Sequence, residues 1–149
     1  MPNFFEAPHG DGILARLEAL GADSARQWGK MTAAQMLAHC SIAVEAANGD
    51  RPMKQILLGK ILTPFVRSGF VGPKPYSRNA PTGATLVVAD PRDFATEKGR
   101  LLAALRRLRE GGPDAAARHP HGFIGRMTGE EWGLVQWKHL DHHLRQFGG

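Results

Sequence analysis

The stretch MTGEEWGLVQWKHLDHHLRQFGG, residues 127–149, decides how this chain is read. Thr128 is followed three residues later by Glu131, the pattern of a capping box, in which each residue satisfies an otherwise unpaired amide at the start of a helix. Gly148-Gly149 is a stop signal, so the pattern predicts a helix over about 129–147. On a helical wheel with His139 at zero, His143 falls at about 40°, Trp132 at about 20° and Val135 at about −40°. Leu140, Leu144, Trp137 and Phe147 extend this apolar arc. Lys138, Asp141 and Arg145 take the opposite side, which should face solvent. His142 lies at the margin of the arc, at about −60°. His139 and His143 are therefore expected to point into the core.

Residues four apart on a helix stand one turn above each other, with Cβ atoms about 5–6 Å apart. Two imidazole nitrogens at that spacing can meet one metal ion, the arrangement used by paired histidines in helical zinc sites. An apolar face offers few hydrogen-bond partners, so two stacked imidazoles there are hard to satisfy as plain core residues. The candidate third ligand is His39, which shares a face with Met36, Ala43 and Ala46. The small alanines leave room beside its ring. Three neutral imidazoles suit Zn, Ni or Fe(II), with positions left open for water or substrate. A core-plus-surface placement of the same histidines is the alternative. Cys40 follows His39 directly, about 100° around the helix, which argues against joint chelation. It reads as a small buried residue.

The remaining segments give the frame. ILARLEALGA, residues 13–22, reads as a short first helix with Ile13, Leu14, Leu17 and Leu20 on one face. Thr32 and Gln35 form a second capping box, and Asn48-Gly49 closes that helix, placing it at about 33–47. Met53 to Phe65 reads as a helix broken near Gly59 and ended around Pro64. The Pro- and Gly-rich stretch that follows reads as an extended crossover, with a possible strand at 86–88. Asp93 starts a third main helix, about 91–110, with Phe94, Leu101, Leu102, Leu105 and Leu108 as its stripe. Residues 111–126 read as a loop. The expectation is one all-α domain over 1–149: a four-helix bundle with a long crossover between the second and third main helices, an architecture that builds metal sites in its core.

Composition bounds the partners. The chain has 149 residues, 42% hydrophobic and 22% charged, as a globular protein does. One cysteine allows no internal disulfide and leans toward a reducing compartment. The start carries no basic-then-apolar leader pattern, and the most apolar run, 55–66, is short and holds Lys60. A soluble, cytoplasmic protein is expected, with no membrane partner. The net charge of +5 raises the prospect of anionic ligands, but no nucleic-acid motif is present. The apolar run at 56–66 hints at a homodimer.

The run HLDHHLRQ resembles the ending of the DinB/YfiT-like superfamily, and more closely a domain-of-unknown-function branch of it. Trp28-Gly29-Lys30-Met31, Gln35-Met36-Leu37 and His39 carry the resemblance at one end. His119-Pro120, Thr128, Glu131-Trp132 and Lys138 through Gly148 carry it at the other. The resemblance implies a four-helix bundle holding a divalent metal on His39, His139 and His143. It also implies thiol-dependent transferase or isomerase chemistry on a small-molecule substrate, with a low-molecular-weight thiol as cofactor. A metal-dependent hydrolase using bound water and a non-catalytic metal-binding or interaction domain are the alternatives. Arginines near a pocket mouth would hold an acidic thiol. Glu45 reads as outward-facing, and Gln35 and Gln146 as ligand-orienting groups or a polar rim. The roles of His119, His121 and His142 stay open at this level.

Overall fold

The computed structural model describes residues 1–149 and is all-α, with no strand. Its helices are α1 (Ala7–Ala19), α2 (Ala33–Asn48), α3 (Leu57–Val71), α4 (Phe94–Ala116) and α5 (Gly129–Gln146). α1, α2, α4 and α5 surround one core of 22 buried residues, with Phe4, Leu17, Leu37, Leu105, Trp132 and Leu140 among them. α2 is the central rod. Twelve of its 16 residues are buried, which a helix flanked on several sides requires. It packs along α4 and crosses to α5.

Both capping boxes form. Thr32 Oγ1 accepts from the Gln35 amide at 3.1 Å while Gln35 Oε1 accepts from the Thr32 amide at 2.9 Å. Thr128 and Glu131 repeat the exchange at 3.1 and 2.8 Å. Each cap contributes on the order of 1 kcal/mol and sets the first turn of a helix that carries histidines. Gln35 spends its remaining donor on the Ala89 and Asp90 carbonyls and so orients no imidazole.

Several expectations need correction. α1 begins at Ala7 rather than 13, because Pro8 sits in its first turn, where a missing N–H costs nothing. α3 begins and ends later than expected and runs through both Gly59 and Pro64. Gly59 is buried against the Phe123 carbonyl oxygen, where a Cβ would overlap it, so the glycine marks a close approach rather than a break. Near Pro64, Thr63 Oγ1 donates to the Gly59 carbonyl at 2.6 Å and supports the weakened turn. Residues 86–88 form no strand; a 3-10 turn over Ala84–Leu86 stands there instead. α4 continues past Gly111 to Ala116, with Gly112 at φ 74° making a kink and Pro113 resuming the helix, so part of the expected loop is helical.

The charged groups are also placed differently from the wheel. Lys138 and Asp141 are buried, not solvent-facing. Lys138 Nζ donates to the carbonyls of Gly69, Phe70 and Gly72 at 3.0, 3.0 and 2.8 Å, tying the end of α3 to α5. Asp141 accepts from Arg16 at 2.8 Å and pairs with Arg145 at 3.0 Å, tying α1 to α5. Glu45 is half-buried and takes a two-pronged contact from Arg100 at 2.6 and 2.9 Å. α3 itself lies outside the core. Leu57, Leu58, Ile61 and Phe65 on its outer side are exposed, Phe65 by 79%. No helix is long and apolar enough to cross a membrane.

Candidate metal centre

The α2–α5 seam brings His39, His139 and His143 together. One nitrogen of each lies within 4.8 Å of those of the other two. His39 Nε2 and His139 Nε2 are 2.8 Å apart, and the ring centroids are 4.6–4.8 Å apart in all three pairs. Residues 100 positions apart in the chain thus converge, because α2 and α5 are each capped, amphipathic and pressed on the same core.

What each ring does with its far nitrogen fixes its near one. His39 Nδ1 donates to the Leu86 carbonyl at 2.8 Å, leaving Nε2 as a lone pair aimed at the seam. His143 Nδ1 donates to Gln146 Oε1 at 2.9 Å. Gln146 cannot be turned over there, since its Nε2 donates to the Trp28 carbonyl at 2.9 Å. His139 Nδ1 is sealed from solvent without a partner, although the residue as a whole is half-buried. The Leu86 carbonyl escaped the sequence reading because a backbone acceptor carries no residue signal.

Burial keeps the three rings neutral. It lowers the pKa of His39 and pushes that of His143 down to about 3. His139 is held well below the usual histidine range, first by burial and then by the neighbouring imidazoles. Neutral imidazole is the ligand form, so protons compete weakly for these nitrogens near pH 7. No carboxylate belongs to the cluster. The donor set, its spacing and its two anchored Nδ1 atoms fit a divalent cation on three imidazoles with further positions open.

The other singled-out residues fall nearby or away. His142 is half-buried, with Trp28 at 5.5 Å and Tyr76 at 6.3 Å between ring centroids, so it belongs to the wall beside His143. His121 Nδ1 accepts from the Phe123 and Ile124 amides, both at 3.1 Å, and burial pushes its pKa down to about 4. His119 packs at the Gly49 end of α2, about 15 Å along that helix from His39. Cys40 is fully buried, and burial raises its thiol pKa, which leaves it inert as a nucleophile. Trp132 is core, while Trp137 is partly buried. Arg78 stacks over Trp28 at 4.4 Å from the ring centroid, on the His142 side of the cluster.

Fold and site together define an all-helical protein with a buried three-histidine cluster able to hold a metal ion. The chain belongs to the family described as Protein of unknown function (DUF1569), whose model matches residues 4–148. No curated protein and no solved structure matches it.

Proposed function

We propose that this chain is a single-domain, metal-dependent enzyme of the DinB-like superfamily. His39, His139 and His143 hold one Zn, Ni or Fe(II) ion, and the reaction is transfer or isomerisation dependent on a low-molecular-weight thiol. The observation that carries this reading is the convergence of three neutral imidazoles, within 4.8 Å, with no acid among them. When bound, the cation supplies a Lewis acid that lowers the pKa of a thiol. The chain's own groups hold that cation in place. Leu86 and Gln146 orient two rings, and His39 and His143 are themselves buried. In a transfer, sulfur bonds to the electrophilic carbon as the leaving group departs, and the thiol proton goes to solvent.

The absence of an acid from the cluster favours thiol chemistry over water activation, which benefits from a carboxylate base. Asp141 is committed to Arg16 and Arg145, Glu45 to Arg100, and Glu131 to Arg67. A reducing cytoplasm suits the reading, since such thiols are abundant there and Cys40 stays reduced.

The test begins with elemental analysis of protein purified without a nickel-affinity tag. Thiol consumption is then followed against a panel of electrophiles. The proposal expects close to one divalent ion per chain and turnover abolished by chelator and by His139→Ala. Turnover indifferent to both would remove it.

A further inference from the structure

Two of the three imidazoles have a partner for Nδ1, and His139 does not. One other buried side-chain atom shares that condition, Gln136 Oε1. Gln136 precedes His139 by three residues, so the two side chains are neighbours on one face of α5. Both also face the same stretch of α2. His139 Nε2 meets His39, and Gln136 Nε2 donates at 3.1 Å to the carbonyl of Ala43, one turn further along. That bond fixes the amide, because a carbonyl only accepts and the NH2 group must point to it. Gln136 is 1% exposed, and its Oε1 is therefore an acceptor locked into the seam with nothing to accept.

The two orphans are complementary under one condition. When Nε2 of a neutral imidazole binds a cation, the ring's proton must sit on Nδ1, which then donates. Resting on the metal reading above, we propose that Gln136 is the positioning residue for His139. Its Oε1 receives the Nδ1 hydrogen bond through one buried water between the two atoms. A single water suits two buried polar atoms that each lack a partner. Each ligand ring then has its own anchor: a backbone carbonyl for His39, Gln146 for His143 and Gln136 for His139. The sequence held a signal for this, since Gln136 falls at about 60° on the wheel of α5, inside the arc of His139 and His143.

The experiment compares zinc affinity by chelator competition, and melting of the metal-free chain, for the parent, Gln136→Met and Gln136→Glu. Methionine keeps the length without the acceptor. The proposal expects Gln136→Met to lose roughly 10–100-fold in zinc affinity, the usual cost of an outer partner. The metal-free chain should melt close to the parent temperature, since the lost bond to the Ala43 carbonyl is offset by removal of an unpaired buried oxygen. Gln136→Glu, protonated so that it still donates to the Ala43 carbonyl, keeps the acceptor and should hold zinc affinity close to the parent's, and the visible spectrum of the cobalt(II) form should shift in Gln136→Met. Equal zinc affinity in parent and Gln136→Met overturns the role of Gln136 while leaving the three-histidine site standing. A metal-free Gln136→Met chain that melts well below the parent would mark Gln136 as merely structural and overturns it too. A parent chain that binds no zinc, cobalt(II), nickel(II) or iron(II) ends both readings together.

Discussion

The α2–α5 seam and the α3 segment handle apolar surface in opposite ways. Along the seam, apolar and imidazole groups face inward, and Leu37, Val44, Leu140 and Leu144 enclose polar atoms that are almost all paired. On α3, Leu57, Leu58, Ile61 and Phe65 face outward, while a buried Lys138 ammonium holds the helix's last carbonyls from below. Core burial of apolar area supplies the seam's rigidity, at roughly 25 cal/mol per Å². α3 is attached only at its end by apolar packing, through Phe70 and Val71 against the core, and otherwise by directed contacts, chiefly Lys138, Arg67 to Glu131 at 2.6 Å, and Gln55 just before the helix to the Phe123 carbonyl. Rigid packing therefore sits where three imidazoles converge, and a loosely based element carries the apolar surface.

The strongest break of this comparison is His139→Ala. It should cut zinc affinity by more than about 100-fold, beyond what an outer partner costs. The metal-free chain should also lose on the order of 1–3 kcal/mol, because the 2.8 Å contact of His139 Nε2 with His39 goes and the ring leaves a cavity. Chelator competition and urea melts separate the two effects.

Acid should act on the seam next. His39, His139 and His143 have folded-state pKa values below the ordinary 6.5, so the unfolded chain binds more protons than the folded one as pH falls. Stability is full above about 6.5 and declines as pH drops toward the His143 value of about 3. Urea melts from pH 7.5 to 4 should show that slope. A chain carrying His143→Gln should show a shallower one.

Lys138→Met tests the attachment of α3. It leaves three carbonyls without their ammonium donor and should cost on the order of 2 kcal/mol in a urea melt. Cleavage by a protease should then rise first within Leu57–Val71, with α2 and α5 still protected. Uniform cleavage along the chain would erase the contrast between the two regions.

Phe65→Ser should be the mildest, within about 0.5 kcal/mol of the parent in stability. Its effect should appear in sedimentation instead. The exposed α3 face should give weak self-association that added salt strengthens, since Lys54 and Lys60 beside it repel their counterparts. Phe65→Ser should remove that association.

Features encoded locally were legible in the sequence. Thr32 with Gln35 and Thr128 with Glu131 placed the starts of α2 and α5, and the four-residue spacing of His139 and His143 put both on one face. Features decided by distant neighbours were not. Gly59 reads as a break until the Phe123 carbonyl is seen pressed against it. Lys138 and Asp141 read as solvent-facing because charge usually is. Carbonyls from α3 and a guanidinium from α1 let them stay inside. The run at 86–88 has the composition of a strand but no partner to pair with, and its first carbonyl is taken by an imidazole.

That carbonyl has an evolutionary corollary. An acceptor supplied by the main chain survives any replacement of the side chain at Leu86, and only a rerouting of the crossover would displace it. The crossover's side chains can thus be exchanged while the grip on His39 stays the same. Local sequence there is then free to drift without disturbing the cluster.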